Sequence, residues 1–275
     1  MNCEICNKKL VLFVKLQKFD LLKCNICDHI ISNLKISKKY LKETYSKNYL
    51  IQKHKNWMNN PNNEFYKKIE NFILKNNIEK ILDLGCGKGL LLKFLNKRNP
   101  SLKLTGVDLY KHKKNKKINF INKDIFKFKS KKEFSMIVSV MVIEHIKKIK
   151  PFIKLIKKVT KNNAYCVINT INTNSILYKI SHFFYYFNFK TPFNRLYDPH
   201  HLNHFSNKSL KKIFLQNGFS LVEIINTPIT MKQVDYPYNN IVKKYFFYVG
   251  IYIIIKLQNI FGFSWIQTIV FKKNN

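Results

Sequence analysis

The sequence predicts an α/β fold: a doubly wound, mainly parallel seven-stranded sheet, preceded by a small N-terminal four-cysteine zinc ribbon. Three observations predict it. From residue 80 onward, short apolar runs alternate with segments of helical periodicity, the pattern of a parallel sheet covered on both faces. The first run leads into glycines at alternate positions, ILDLGCGKGL over residues 81–90, as at a strand-to-helix turn that lets a ligand approach the backbone. Near the start, Cys3, Cys6, Cys24 and Cys27 form C-x2-C-x17-C-x2-C. Each pair fits a tight turn that presents two thiolates to one Zn2+.

Residues 1–33 hold four of the six cysteines. A complete four-sulfur shell leaves no open position, so the expected metal is structural and staples a segment too short to fold on its own core. Residues 34–60 read as a connecting helix or linker, with Leu34, Tyr40, Leu41, Tyr45 and Tyr49 as a partial stripe and Asn59-Asn60-Pro61 as its break. The main domain spans 61–275. It opens with a helix over 64–77 that places Phe65, Ile69, Phe72 and Ile73 on one face. Strands are predicted at 80–84, 102–107, 118–121, 134–140, 164–170, 219–225 and 265–272. Pro151 sits in the first turn of a helix that runs to about residue 161, where proline is tolerated. A further helix over 206–217 stops at Gly218.

The net charge is +35, which points toward nucleic acid, a membrane surface or an acidic substrate. Yet only Arg98 and Arg195 are arginine, the residue preferred for bidentate phosphate recognition. Lys, Asn, Ile, Phe and Tyr share A/T-rich codons, so base composition accounts for the bias equally well. The start, MNCEICNKK, is polar and carries no signal-peptide pattern. The apolar run at 246–255, FFYVGIYIII, ends at Lys256 and is shorter than the roughly 20 residues a membrane span needs. The expectation is a cytoplasmic protein, with contact at the inner face of the membrane as an extension, and with reduced, metal-binding cysteines.

The glycine loop narrows the ligand. Asp108 lies 23 residues after Gly85, at the end of the second strand, where an acid binds the hydroxyls of a ribose. The spacing Gly85, Gly87, Gly89 is G-x-G-x-G, one residue shorter than the dinucleotide pattern. Asp83 precedes the loop, a poor neighbour for a pyrophosphate and a good one for a cation. Asp124 ends the third strand, where an adenine amino group could be read. Three carboxylates around one pocket fit S-adenosylmethionine, with its sulfonium and ammonium groups and no phosphate.

These residues resemble a family. ILDLGCGKG at 81–89 is similar to the first motif of the class I S-adenosylmethionine-dependent methyltransferases, and GVDLY at 106–110 and KDIF at 123–126 resemble the second and third. MVIEHI at 141–146 resembles the segment after strand 4, and HLNHFSNKSLKKIFLQNGF at 201–219 a stretch of one large subgroup. That subgroup carries a zinc-ribbon leader and resembles ubiquinone-type and sugar or glycan methyltransferases, so the resemblance covers nearly the whole chain. Two departures stand out: Lys35-Ile36-Ser37 replaces the leader's usual proline, and Ser135 replaces the Asp that opens strand 4. The resemblance implies strand order 3-2-1-4-5-7-6 with strand 7 antiparallel. It implies that Gly85, Cys86 and Gly87 line the methionine portion and that Asp83 meets its ammonium. It also implies that Asp108 holds the ribose and that Asp124 and Ile125 flank adenine, with Gly89, Leu109 and Val140 as further cofactor-binding residues. Cys86 reads as a small packed residue rather than a nucleophile, and Cys166 as core.

An acceptor that must lose a proton calls for a base, and histidine suits that role. His145 follows Glu144 at the carboxyl edge of the sheet, and His200, His201 and His204 form a second cluster. The catalytic candidates are His145, Glu144 and His204. Glu144, His201 and His204 are also a conceivable metal set, and ubiquinone-type relatives use a divalent ion. Specificity is expected in the aromatic insertions at 172–203 and 228–262, as a helical lid or as a surface for an amphiphilic acceptor or peripheral membrane contact. The expected function is methyl transfer to a small-molecule, glycan or lipid-linked acceptor. The alternatives are an RNA methyltransferase that uses the basic surface and ribbon, and a non-catalytic cofactor-binding scaffold.

Overall fold

Two sheets that share one apolar core carry the chain in the computed structural model, which describes residues 1–34, 55–131, 133–226, 229–235, 240–262 and 264–275. The chain begins with a meander of β1 (Val11–Lys15), β2 (Asp20–Lys23) and β3 (Ile30–Asn33). Two cysteine knuckles of one design belong to it, one before β1 and one between β2 and β3. In each, the residue after the second cysteine, Asn7 or Asp28, takes a left-handed backbone with φ of 55° or 59°. Its N–H then donates to the carbonyl of the first cysteine, Cys3 or Cys24. Asn and Asp are among the non-glycine residues that best tolerate this conformation.

Most of the predicted connecting segment, residues 35–54, lies outside the described residues. Its end forms α1 (Lys55–Asn59). In α2 (Asn63–Lys75), Asn62 accepts the Phe65 N–H as N-cap, and the buried face carries Phe65, Ile69, Phe72 and Ile73, as the periodicity predicts. Then follow β4 (Lys80–Leu84), α3 (Leu90–Arg98), β5 (Lys103–Asp108), β6 (Ile118–Asn122) and β7 (Phe134–Val140). The second half holds α4 (Ile149–Val159), β8 (Thr160–Ile171), α5 (Ile176–Tyr186), α6 (Thr191–Leu196) and β9 (Asn203–His204). The chain closes with α7 (Asn207–Leu215), β10 (Phe219–Ile225), α8 (Ile241–Phe261) and β11 (Ile266–Lys273).

The large sheet has the order β6-β5-β4-β7-β8-β11-β10, the order the resemblance implies. Strands β4 to β8 pair in parallel, and β11 runs antiparallel to both neighbours. Residues of β4 and β7 are almost entirely buried, as expected for central parallel strands. Ser135 stands in for the expected Asp and binds across the strands: its Oγ accepts the Lys80 N–H and donates to the Lys80 carbonyl, both at 2.9 Å.

The insertion after β8 departs from simple alternation. Its strand β9 joins the small sheet, with Ile30 opposite His204 and Ile31 opposite Asn203. The meander is thereby built into the main body. Cys3, Ile5, Cys24 and Cys27 share an apolar cluster with Ile149, Phe205 and Leu210. The Glu4 carboxylate accepts the N–H of Ile149 at 2.7 Å.

Candidate active site

A cavity of about 2000 Å3 opens at the carboxyl ends of β4, β5 and β7. Strand order reverses between β4 and β7, which is where an open α/β sheet binds its ligands. One end of the cavity is built from the glycine loop. The loop folds back on β5, with the Gly85 and Cys86 N–H groups donating to the Val107 carbonyl at 2.8 and 3.3 Å. Gly85 has φ of 81°, and a Cβ there would lie 2.3 Å from Val142 Cγ2. Gly87 has φ of 49°, and a Cβ there would meet nothing within 4 Å, so its bare backbone faces space that a ligand can enter. Gly89 is the N-cap of α3 and lies behind the cavity wall rather than on it.

Asp83 lines this end, is buried, and has no hydrogen-bond partner at Oδ1 among the described residues. Burial, reinforced by the negative charge of Asp108, holds its carboxyl up to about 8. A buried carboxyl oxygen with no partner is costly, and a cation arriving from the cavity removes that cost. Asp108 is arranged differently. Oδ2 accepts the Gly87 N–H at 2.9 Å, and Oδ1 accepts the Tyr110 N–H at 2.7 Å. Each oxygen has a second lone pair, so the carboxylate can clamp the loop and still accept two hydroxyls. Asp124 caps the single turn Ile125–Lys127 through the Phe126 N–H at 2.8 Å, and it lines the cavity with Leu109, Ile125 and Val140. The Cys86 thiol is pushed up by burial and by the charges of Asp83 and Asp108, which fits a packed thiol rather than a thiolate nucleophile.

His112, absent from the sequence-based candidates, also supports the loop. It stacks on Phe120 at 3.8 Å and donates from Nε2 to the Gly87 carbonyl at 2.8 Å. Its sequence surroundings, KHKKNKK, give no sign of this.

The other end is built from the segments after β7 and β8. Met141 has φ of 53°, unusual for a bulky residue, and donates its N–H to the Asn169 carbonyl at 2.8 Å. The chain then enters the turn Ile143–His145. His145 lines the cavity, donates from Nδ1 to the His200 carbonyl at 2.8 Å, and stacks on the His200 ring at 5.3 Å. His200 and His201 line the cavity as well, and Asp198 Oδ1 lies 2.6 Å from His200 Nδ1. Trp265 adds an indole N–H that has no hydrogen-bond partner among the described residues.

Glu144 and His204 lie away from the cavity wall. Glu144 is fully buried, accepts the Thr170 hydroxyl at 2.8 Å, and is pushed up to about 7 by burial. Its carbonyl accepts the Leu202 N–H at 2.8 Å. His204 is fully buried in β9 with a ring nitrogen 3.1 Å from Ser32 Oγ, and burial depresses its imidazole to about 3. The pairing of β9 with β3 places His204 against the small sheet, while His200 and His201 stay at the cavity.

The four N-terminal cysteines converge as their spacing predicts. Cys3 and Cys27 Sγ are 3.6 Å apart, Cys6 and Cys24 3.2 Å, and Cys6 and Cys27 3.8 Å. A tetrahedral Zn–S4 centre with bonds of about 2.3 Å separates its sulfurs by roughly 3.8 Å, so the arrangement fits that ion.

A family model described as a methyltransferase domain matches residues 53–224. Among solved structures, the chain is similar to the 1,6-didemethyltoxoflavin-N1-methyltransferase of Burkholderia thailandensis, a structure with bound 1,6-didemethyltoxoflavin and S-adenosylhomocysteine. The TM-score is 0.58 and the identity 8%, over 96% of this chain and 99% of that one. It is also similar to the plantazolicin methyltransferase BpumL in complex with a pentazolic desmethylPZN analog and S-adenosylhomocysteine. There the TM-score is 0.51 and the identity 18%, over 85% of this chain and 91% of that one. At these identities the likeness is one of fold. No curated protein sequence matches the chain.

Proposed function

Because the chain belongs to the class I S-adenosylmethionine-dependent methyltransferases, we propose that its cavity transfers a methyl group to a small-molecule, glycan or lipid-linked acceptor held beside His145. The observation that carries the donor side of this reading is Asp83, a buried carboxyl at the cavity wall with one oxygen that has no hydrogen-bond partner among the described residues. S-adenosylmethionine, when bound, supplies an electrophilic methyl group on a sulfonium. Asp83 meets its ammonium group, Asp108 accepts its ribose hydroxyls, and Leu109, Asp124, Ile125 and Val140 hold its adenine. Both relatives named above hold S-adenosylhomocysteine, which supports the assignment.

On the acceptor side His145 is the candidate base. Its Nδ1–H is committed to the His200 carbonyl, so the neutral ring carries its lone pair on Nε2. Glu144 and His204 act through position: Glu144 holds Leu202 and Thr170, and His204 anchors the segment to Ser32. The Trp265 N–H offers the acceptor a donor. In this reading residues 1–33 are a structural zinc ribbon, 34–60 a connection and 61–275 the catalytic domain.

One observation favours an acceptor presented at a lipid surface. α8 leaves Ile241, Tyr245 and Phe246 exposed, Ile241 by 81%, and α5 leaves Phe183, Tyr186 and Phe187 exposed, Tyr186 by 85%. Both helices carry lysines and no acid. Leu177 of α5 and Phe247 and Ile251 of α8 also line the cavity. No helix among the described residues is long and apolar enough to cross a membrane, so such a contact is peripheral. The test is transfer of labelled methyl from S-adenosylmethionine into a cell extract fractionated into RNA, lipid and soluble glycan pools. Label in the lipid or glycan pool supports the proposal. Label confined to RNA, or no transfer to any pool, overturns it.

A further inference from the structure

We propose that His145, His200 and His201 form a divalent transition-metal site at the acceptor end of the cavity, with a coordination position left for an acceptor oxygen. One ring nitrogen from each lies within 4.8 Å of the other two, and all three residues line the cavity. The set differs from the one the sequence offered, since Glu144 and His204 are buried behind it.

The surroundings are those of a ligand set. Metal-bound imidazoles typically donate their second ring N–H to a carboxylate or carbonyl, which fixes the tautomer and strengthens the ligand. His145 donates to the His200 carbonyl at 2.8 Å, and His200 has the Asp198 carboxylate 2.6 Å from its Nδ1. With Nδ1 of each ring engaged in this way, Nε2 is the nitrogen that would bind the ion. The two ligand-bearing segments are also held to each other and to the small sheet. Leu202 donates to the Glu144 carbonyl at 2.8 Å, and Ser32 donates to the His201 carbonyl at 2.8 Å.

The donor chemistry selects the ion. Imidazoles suit Zn2+, Fe2+, Co2+ or Ni2+ and disfavour Mg2+ or Ca2+. Three protein ligands leave a fourth tetrahedral position open, as catalytic sites do. Bonds of about 2.1 Å put ligand nitrogens roughly 3.4 Å apart, inside the 4.8 Å that encloses these three. The four-cysteine cluster is a separate centre of thiolates with its shell complete.

The inference rests on the reading of this cavity as the methyl-transfer site and assigns His145 as a ligand when the ion is present. An acceptor hydroxyl on the open position loses its proton to solvent more readily, because the ion stabilises the oxyanion. The oxygen lone pair then forms the new C–O bond to the methyl carbon. The C–S bond breaks, and its electron pair stays on sulfur. The acceptor class is therefore a hydroxyl compound able to ligate a metal.

The experiment is titration of the full chain with Co2+, after zinc loading of the cysteines and dialysis against a chelator, followed by visible absorption and calorimetry. The expected result is one Co2+ equivalent with the weak absorption of nitrogen and oxygen ligands and no thiolate charge-transfer band. His145→Ala and His201→Ala should each weaken it by about 100-fold or more, and Asp198→Asn by about 10- to 100-fold. S-adenosylhomocysteine binding by each variant reports that the fold is intact. Where an alanine variant loses it, His201→Gln is read in its place. Absence of the nitrogen-type equivalent in the wild type, or affinities unchanged in all variants, overturns the proposal. A wild type that binds Co2+ in this way but not S-adenosylhomocysteine overturns the methyl-transfer reading and leaves the metal site standing.

Discussion

The two ends of the cavity reach a defined geometry by different routes. The donor end is made by neighbours in a parallel sheet: the loop after β4 is clamped by Asp108 at the end of β5, 21 residues from Gly87. The acceptor end is made by distant segments. His145 is held by His200, 55 residues on, and His201 by Ser32, 169 residues back. A donor loop of this kind is complete once two strands and a helix have formed. The acceptor wall exists only when the N-terminal sheet, the turn after β7 and the segment after β8 have met. The small sheet therefore belongs functionally to the acceptor end, although it lies farthest from it in sequence.

The sharpest way to break this comparison is to remove one of the four clustered cysteines proposed to hold zinc. Cys24→Ser should cost on the order of several kcal/mol and lower the melting temperature. Amide exchange should accelerate at Ser32 and Leu202 and stay slow in β4 and β5. Equal acceleration at both ends would mean that the ends are not separately supported. Next in size is Asp108→Ala. It removes charge-assisted bonds worth about 1.5–3 kcal/mol each, so calorimetry should show S-adenosylhomocysteine affinity down by about 100-fold. Unchanged affinity would sink the ribose assignment.

A pH series isolates Asp83. Burial and the charge of Asp108 push its folded carboxyl up to about 8, well above the ordinary carboxylate value of 3.8. Between those values the folded state therefore holds a proton that the unfolded state has released. Stability from this group is present at low pH and is lost as pH rises through about 8. Cation binding has the opposite sign, because the carboxyl must release that proton to pair with an ammonium. S-adenosylmethionine affinity should climb by up to about tenfold per pH unit toward pH 8 and then level off. Asp83→Asn should flatten the profile; a slope that survives the substitution assigns the proton elsewhere. The smallest expected effect is that of Ser32→Ala, about 1 kcal/mol of stability, with S-adenosylhomocysteine affinity unchanged. A loss of that affinity would show that the two ends are coupled.

What the sequence made legible follows the same division. Alternating strands and helices, the glycines at 85, 87 and 89 and the acids at 83, 108 and 124 are local patterns. They led to a fold and a strand order that the structure reproduces; Gly85, Gly87 and the three acids line its cavity, and Gly89 lies behind it. The cysteine quartet was legible because two short spacings have few uses. The histidines were visible as residue types but not as partners, because a two-residue strand, β9, decides which of them face the cavity. Asn203 and His204 pair with β3, and no periodicity marks so short an element. His112 was silent for a related reason: it acts through one ring nitrogen whose partner, the Gly87 carbonyl, is set by tertiary packing.

The pairing of β3 with β9 also has a consequence for synthesis. Residues 30–33 leave the ribosome long before residues 203 and 204 do. During that interval β3 is a sheet edge with unsatisfied backbone groups, exposed to pairing with the wrong partner. Its four-residue length limits that hazard. A nascent chain that stops short of residue 203 has the glycine loop and Asp108 but lacks β9. The order of emergence therefore delivers the whole of the Gly87–Asp108 clamp before the partner that closes the edge of β3.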